Sequence, residues 1–201
     1  MEIFIKILCL VLAVVLHELS HGLAAYSFGD TTAKQMGRLS LNPIKHIDPL
    51  GSIILPFLLF ITNAPFLIGW AKPVPVNFSR LHPKTLGTFL VAFAGPMMNI
   101  FLAIIASILW KIGILPANIA TMAVQINVIL AAFNMLPILP LDGGRMITCF
   151  LPQNHPIFLF FERFGMIMII IIGSLVLFKT QVHGAILFLA NMILAFLNML
   201  V

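Results

Sequence analysis

The stretch IFIKILCLVLAVVLHELSHGLAAYSF, residues 3–28, is apolar over almost its whole length, yet it contains His17, Glu18 and His21 within five positions. About 20 consecutive apolar residues are enough to span the hydrocarbon core of a bilayer as a helix. In lipid every backbone N–H and C=O group needs a partner within the protein, which leaves helices and closed barrels. Because the run lacks a two-residue alternation, it predicts a transmembrane helix.

The rest of the chain has the same character. Of its 201 residues, 61% are hydrophobic and 8% are charged, with a mean hydropathy of +1.13, whereas a soluble domain carries about 25% charged residues. Six apolar segments can be marked, at residues 3–28, 51–68, 86–111, 119–141, 157–178 and 184–201. We therefore predict an all-α polytopic membrane protein with one integral-membrane domain over residues 1–201.

The formal net charge of +5 does not indicate a nucleic-acid partner. The lysines and arginines are scattered, and they flank apolar runs as the residues that set membrane topology do. The predicted partner is therefore the lipid bilayer, and not nucleic acid.

The polar cluster in the first segment predicts a metal site. His17 and His21 are four residues apart, so on a helix they share one face and can hold one ion. Glu18 is rotated by about 100° around the helix, beside the ion, which is the place of the general base in zinc-dependent peptidases. The alternative is a set of buried polar residues bonded to neighbouring helices without a metal. Ionisable groups at membrane depth cost about 2.5–3.5 kcal/mol each and are functional by default, which favours one Zn²⁺ per chain.

A catalytic zinc site needs a third protein ligand and an open position for water. Asp142 lies in NMLPILPLDGGRM, residues 134–146, where two prolines break the preceding helix. Gly143 and Gly144 are expected to let the chain turn tightly after the carboxylate. A carboxylate at a broken helix end can point into a cavity, so Asp142 is the predicted third ligand. The alternative role for Asp142 is to cap a following helix.

Two of the asparagines on the other apolar segments have predicted roles. Asn134 is predicted to be catalytic, by donating a hydrogen bond to a substrate carbonyl or to the developing oxyanion, although an interhelical hydrogen bond is the alternative. Asn99 closes AGPMMN, in which Gly95 is expected to permit close helix packing and Pro96 to kink the helix. Asn99 itself is expected to bond across helices.

These motifs resemble the site-2 proteases, which are intramembrane zinc metalloproteases. The resemblance rests on four blocks of sequence, HELSH at 17–21, GWAKPVPVN at 69–77, AGPMMN at 94–99 and NMLPILPLDGG at 134–144. It covers essentially the whole chain and is closest to the short bacterial branch without PDZ or CBS domains. It implies that His17, His21 and Asp142 bind zinc and that Glu18 is the catalytic base. It also implies cleavage of a peptide bond in or near the transmembrane segment of a membrane-protein substrate.

If His21 and Asp142 bind the same ion, the directions in which their segments cross the membrane are constrained. His21 lies near the C-terminal end of segment 3–28 and Asp142 follows segment 119–141, so these two segments must cross in the same direction. An odd number of crossings must then separate them, although two apolar segments lie between. Segment 51–68, which two prolines interrupt, is predicted to be re-entrant. The prediction is therefore about five transmembrane helices and one re-entrant segment.

Charge counting then predicts the sidedness. Eight of the eleven lysines and arginines fall on one side, which identifies the cytoplasmic face of a cell membrane, as in the bacterial inner membrane. The eight are Lys34, Arg38, Lys45, Lys72, Arg80, Lys84, Arg145 and Arg163. His21 precedes Gly29 by about 12 Å of helix, so the site is expected to lie below the cytoplasmic surface.

Two polar stretches are compatible with short β-strands on the cytoplasmic side: AKQMGRLSL at 33–41 and GWAKPVPVNF at 69–78. A substrate helix hides its carbonyls in internal hydrogen bonds and must unwind before it is cut. These strands are expected to receive the unwound segment as an added strand.

Two other functions use similar residues. A membrane transporter or zinc permease also needs intramembrane His and Asp, but its polar residues would trace a path over several helices. The chain could also be a catalytically inactive relative that serves as a binding protein. The presence of Glu18 argues against this, because loss of the general base would be the simplest way to lose activity.

Overall fold

The computed structural model describes residues 2–62, 69–152, 155–177 and 190–195. Within these ranges the chain forms helices joined by turns and extended segments. The α-helices are α1 (Glu2–Ser27), α2 (Thr32–Gln35), α3 (Leu55–Ile61), α4 (Lys84–Lys111), α5 (Ala117–Asn134), α6 (Asp142–Thr148) and α7 (Pro156–Leu177). Short 3₁₀ turns cover Pro43–His46 and Phe78–Arg80, and a π-helical turn, Pro49–Ile54, leads into α3.

Among the described residues, α1, α4 and α5 are long and apolar enough to cross a membrane. Small side chains fill their contacts, as in the cluster of Ala103, Val128, Ala132 and Ala190. Large apolar side chains such as Ile3 and Phe4 point outward, with 74% and 68% of their surface exposed. This is the packing expected in lipid, where no hydrophobic force drives large side chains inward and small residues let helices approach closely. The chain is therefore an all-α membrane protein, and the predicted total of about five spans stays a prediction.

The three long helices alternate in direction. His21 contacts Val91, whereas His17, one turn earlier on α1, contacts Asn99, two turns later on α4. α1 and α4 are therefore antiparallel. Residues 112–116 connect α4 to α5 as a short hairpin, so α5 is also antiparallel to α4 and runs in the direction of α1. α1, which carries His21, and α5, which precedes Asp142, thus run in the same direction. This is the relation that binding of one zinc ion by both residues requires.

The chain between α1 and α4 leaves and returns at one end of this helix pair. The amide of His82 donates to the carbonyl of Phe28 at 2.9 Å, just before α4 begins. The chain therefore leaves α1 and enters α4 at the same end of the helix pair, and the re-entrant path of segment 51–68 stays a prediction. Its described part is the π-helical turn and α3, and residues 63–68 lie outside the described ranges.

The prediction of β-strands is wrong for the described residues. Residues 33–41 begin in α2, and residues 69–77 are extended without pairing to another strand. Pro73 and Pro75 lack the N–H groups that a ladder needs. The other backbone groups of this extended segment bond mainly to side chains and turns.

The remaining boundaries differ in detail from those expected. α5 ends at Asn134, before the two prolines, and α7 covers most of segment 157–178. Segment 184–201 is described only at residues 190–195, which are helical.

Candidate metal centre

Three side chains from distant parts of the chain meet between α1 and α6. His17 and His21 project from one face of α1, and their Nε2 atoms are 3.1 Å apart. Asp142 places Oδ2 3.2 Å from Nε2 of His17 and Oδ1 3.3 Å from Nε2 of His21. Both imidazoles and the carboxylate are largely buried. The structure thus brings together the three predicted ligands.

The second nitrogen of each imidazole determines which nitrogen is free for a metal. His17 Nδ1 donates to Asn99 Oδ1 at 2.6 Å, and His21 Nδ1 donates to the carbonyl of Val91 at 2.6 Å. Both partners are acceptors, so Nδ1 carries the ring hydrogen in each neutral imidazole. Both Nε2 atoms are left with a lone pair that points toward Asp142.

This donor set fits a cation. Asp142 Oδ2 is buried and has no hydrogen-bond donor among the described residues, because the nearby Nε2 atom of His17 carries no hydrogen. Three electron-pair donors this close repel one another unless a positive charge lies between them. Ligands at zinc–ligand distances of about 2.0–2.2 Å in a tetrahedron lie about 3.3–3.6 Å apart. The observed separations of 3.1–3.3 Å are close to that spacing.

Close packing of α6 on the loop after α5 places Asp142 next to the imidazoles. It is the first residue of α6, whose N-cap is Leu141, so the alternative role of Asp142 as the cap does not apply. Gly143 and Gly144 lie inside α6 without positive φ angles, so the prediction of a tight turn at these glycines is wrong. A Cβ at Gly143 would meet the carbonyl of Met135, and one at Gly144 would meet Ile138. The glycines instead let α6 pack directly on the loop after α5.

Gly95 likewise permits close packing, here between α4 and the two imidazoles. A Cβ at this position would overlap His21 Nε2 and lie 2.6 Å from His17 Nε2. The close packing expected of Gly95 is therefore found, and it is directed at the ligand atoms. α4 continues through the buried Pro96, whose missing N–H leaves the carbonyl of Ala92 without its helical donor.

Glu18 lies beside the ligand pair and contacts the extended segment. Its Oε2 accepts a hydrogen bond from the amide of Val74 at 2.8 Å. Val74 is buried, and its side chain packs over Gly22 of α1, where a Cβ would lie 2.8 Å from it. This contact orients the carboxylate and leaves Oε1 as the oxygen available to take a proton.

Two charged side chains hold the extended segment in place. Arg38 is buried and donates to the carbonyls of Lys72 and Pro73 at 3.0 and 3.1 Å. Asp30 is fully buried and accepts from the amides of Thr32 and Asn77. Burial alone would raise the pKa of the Asp30 carboxyl, but these hydrogen bonds and the charge of Arg80 hold that pKa below its ordinary value.

Asn134 does not form the interhelical bond considered for it. Its amide nitrogen donates to the carbonyl of Leu130, one turn earlier in α5, at 3.0 Å. The side chain lies at the end of α5, eight residues before Asp142. Its predicted catalytic role stays a prediction.

A further asparagine, Asn127, had no role predicted from the sequence. Asn127 Oδ1 accepts from Asn99 Nδ2 at 2.9 Å, so an amide chain runs from α5 through α4 to His17. The expected interhelical bond of Asn99 is found, and one of its partners is His17, a predicted ligand. A buried amide within the apolar segment 119–141 was the available signal, because polar groups at that depth need a specific partner.

The chain is similar in sequence to known proteins. Residues 109–177 match the profile of peptidase family M50. YwhC of Bacillus subtilis, named as a candidate zinc metalloprotease, is 38% identical over 160 residues, which are 74% of this chain and 69% of YwhC. Rip2 of Mycolicibacterium smegmatis, named in the same way, is 27% identical over 168 residues, which are 80% of this chain and 63% of Rip2. No solved structure is significantly similar to the chain. Because the identity to YwhC is this high over most of both chains, the chain belongs to peptidase family M50. This is the site-2 protease family of zinc metalloproteases, which its motifs resemble.

Proposed function

We propose that the chain is an intramembrane zinc metallopeptidase that hydrolyses a peptide bond in or near the transmembrane segment of a membrane protein. Membership of family M50 supports the class of reaction. The observation that carries the proposal for this chain is the convergence of His17 and His21 with Asp142, with both Nδ1 atoms already engaged.

His17, His21 and Asp142 would hold one Zn²⁺ per chain. Zinc held there would supply Lewis-acid chemistry for the hydrolysis.

Glu18 is the proposed general base. Its Oε2 is held by the Val74 amide, so Oε1 takes the proton of the attacking water and later passes it to the leaving amine. The water oxygen adds to the carbonyl carbon, the C–N bond breaks, and the products are a carboxylate and an amine. Asn134 is proposed to donate to the oxyanion, which requires its amide to leave the Leu130 carbonyl.

The extended segment at 69–77 is proposed to receive the unwound substrate. Arg38 holds the carbonyls of Lys72 and Pro73, and Glu18 accepts from the next amide, that of Val74. Asp30 holds the C-terminal end of the segment through the amide of Asn77. A substrate strand laid along it would bring its carbonyls near the metal centre while its own amides find partners. Val76→Pro would remove a backbone donor, so it should slow cleavage of a helical substrate more than cleavage of a pre-unwound peptide. Equal rates for Val76→Pro and the parent chain on both substrates would contradict this role.

The site is proposed to open toward the cytoplasm, because most lysines and arginines of the chain fall on one side.

A zinc transporter is the weaker alternative. In the described part of the chain, the histidines and acidic groups between α1 and α6 form one cluster and do not trace a path across the helices.

The experiment is cleavage of a single-pass test substrate by the purified chain in detergent. We expect cleavage by the parent chain and its loss on chelation of zinc. Glu18→Gln should lower the rate at least about 100-fold while zinc stays bound, because general acid–base catalysis contributes about 10²–10⁴. Glu2→Gln is the matched control, since Glu2 is exposed at the other end of α1, where it pairs with Lys6.

Two results would contradict the proposal. Zinc flux through proteoliposomes without proteolysis would indicate a transporter. Zinc binding by the parent chain without cleavage of any single-pass substrate would indicate an inactive relative.

A further inference from the structure

Arg38 is buried in the loop that follows α2, and the end of that helix fixes its backbone. The amide of Arg38 donates to the carbonyl of Ala33 at 2.8 Å, and the amide of Gly37 donates to the carbonyl of Lys34 at 3.0 Å. Gly37 has a φ of 62°, the left-handed conformation that closes a helix with this pair of bonds. The backbone of Arg38 is therefore held independently of the contacts of its side chain.

The guanidinium group of Arg38 has backbone carbonyls as its partners. Nη2 donates to the carbonyls of Lys72 and Pro73 at 3.0 and 3.1 Å. In the part of the chain that the structure describes, Nε is buried without an acceptor, and no aspartate or glutamate forms an ion pair with Arg38. A buried charge without a counter-ion is costly, so packing alone does not account for an arginine at this position.

The carbonyl of Pro73 and the amide of Val74 belong to one peptide group. This group is planar and trans, so its C=O and N–H bonds point in opposite directions. On one side, Arg38 donates to the oxygen atom. On the other side, the N–H group donates to Oε2 of Glu18 at 2.8 Å. A single rigid plane thus connects a buried cation to the carboxylate of the proposed general base.

This connection affects the Glu18 carboxylate in two ways. A cation on the carbonyl oxygen polarises the peptide group, which makes its N–H group a stronger donor to the carboxylate. The plane also cannot rotate while its oxygen is held, so the direction of the N–H bond is fixed. Oε2 is therefore kept in place, and Oε1 remains the oxygen for proton transfer.

Packing around Gly22 brings the parts of this connection together. Gly22 lies one turn after Glu18, on the same face of α1. A Cβ at Gly22 would lie 2.5 Å from Cδ2 of Leu39, the residue after Arg38, and 2.8 Å from Cγ1 of Val74. Because glycine leaves this space free for the two side chains, both segments pack directly on α1. This places them within hydrogen-bond distance of each other and of the carboxylate.

We propose that Arg38 is a positioning residue for hydrolysis, which acts on Glu18 through the Pro73–Val74 peptide group. Its side chain contacts that peptide group and not the reacting atoms. It holds the general base in the orientation from which the base takes and returns a proton. This inference rests on the proposed function, because it assigns Arg38 to a reaction that Glu18 carries out. The link between the two side chains can be measured without any cleavage.

The first test observes the Val74 amide by NMR, on the full chain in detergent. The chain contains two Pro–Val bonds, at 73–74 and 75–76. Labelling proline with ¹³C at its carbonyl and valine with ¹⁵N therefore leaves two amide signals in a carbonyl-filtered spectrum, and Val76→Ile identifies the second. We expect the Val74 proton downfield, because it donates to a carboxylate. It should move upfield in Arg38→Gln, and less far in Arg38→Lys, which keeps the charge on a shorter side chain.

The Val76 amide is the internal control, since it makes no hydrogen bond within the described residues. Its signal should move much less than that of Val74. Glu18→Gln should also move the Val74 signal upfield, because it removes the charged acceptor. Arg163→Gln is the matched substitution, since Arg163 is exposed on α7, and it should leave both signals in place. A Val74 signal that Arg38→Gln leaves unchanged would overturn the proposal.

The second test is cleavage of the single-pass substrate. Misplacing a catalytic group by about 1 Å can cost about 100-fold in rate. We therefore expect Arg38→Gln to lower kcat by about 10–100-fold with KM nearly unchanged, and Arg163→Gln to change neither. A higher KM at constant kcat would overturn the proposal, because it would place Arg38 in substrate binding alone. When Glu18→Gln is already present, Arg38→Gln should cause little further loss, since the two residues act as a unit. An equal further loss would indicate a general structural role instead.

The two tests fail in different ways. If the parent chain cleaves no substrate, the proposed function fails, and the Val74 signal still decides whether Arg38 holds the Glu18 carboxylate. If Arg38→Gln does not fold, as shown by the loss of both NMR signals, Arg38→Lys is the variant to measure. A Val74 signal and a kcat equal to those of the parent chain in Arg38→Lys would then overturn the proposal.

Discussion

Asn127 on α5 accepts a hydrogen bond from Asn99 on α4 at 2.9 Å, and this contact determines which end of the Asn99 amide faces His17. With its NH₂ group turned toward Asn127, Asn99 presents Oδ1 to the imidazole. His17 is then held in the tautomer whose Nε2 is free. Two amides that contact no proposed substrate therefore prepare a ligand from two other helices.

Asn99→Ala should weaken zinc binding about 10–100-fold, the usual cost of removing a partner that orients a metal-bound histidine. Asn127→Ala should have a smaller effect, because Asn99 keeps its contact with His17 but can rotate. The measurement is competition for zinc with a chromophoric chelator. Ser107→Ala is the control, since Ser107 lies on α4 and bonds only within that helix. Zinc affinity equal to that of the parent chain in Asn99→Ala would show that this orientation is unimportant.

Gly95→Ala should abolish zinc binding, because the added methyl group would overlap His21 Nε2. The neighbouring atoms are ligands on a packed helix, so they cannot move away without losing their Nδ1 bonds. Metal content of the purified variant is the measurement. Gly113→Asn is the control, because Gly113 has a φ of 78° that asparagine tolerates and open space around it. A stoichiometric metal content in Gly95→Ala would contradict the site.

Removal of zinc should lower the melting temperature, since the ion would join α1 to α6 and binds only the folded chain. Asp142→Asn should melt near the temperature of the chelated parent chain, and chelator should change it little. The two curves are compared by thermal unfolding in detergent. Asp48→Asn removes a carboxylate from a turn away from the site and should keep its response to chelator. A parent chain insensitive to chelator would argue against a resident ion.

Acid should weaken the attachment of the extended segment through Asp30. Its pKa in the folded chain is below the ordinary value of 3.8, so its carboxylate stabilises the fold above that value and the contribution is lost as the pH falls below it. Asp30→Asn should therefore melt at a lower temperature than the parent chain at pH 7, and the difference should shrink below pH of about 4. Melting curves across this range test the prediction. A difference that grows toward acid would have the wrong sign.

Much of the fold follows from local sequence. Apolar runs without alternation can satisfy their backbone in lipid only as helices, so segments 3–28, 86–111 and 119–141 were predicted within a few residues, apart from the end of α5. The strands predicted at 33–41 and 69–78 are not found in the described residues, because β-compatible residues form a strand only when a partner strand is present. Here Glu18, Arg38 and Asp30 provide partners from side chains.

The sequence by itself determined the membrane class of the chain and its ligand types. Residues four apart share a helix face, and this spacing alone aligns His17 with His21. Only the tertiary structure decided how α4 and α5 complete the site. The packing of Gly95 against the imidazoles and the bond from Asn127 to Asn99 join helices far apart in the chain. Such contacts depend on how the helices pack against one another. Helix packing leaves no periodic pattern in the local sequence from which these contacts could be predicted.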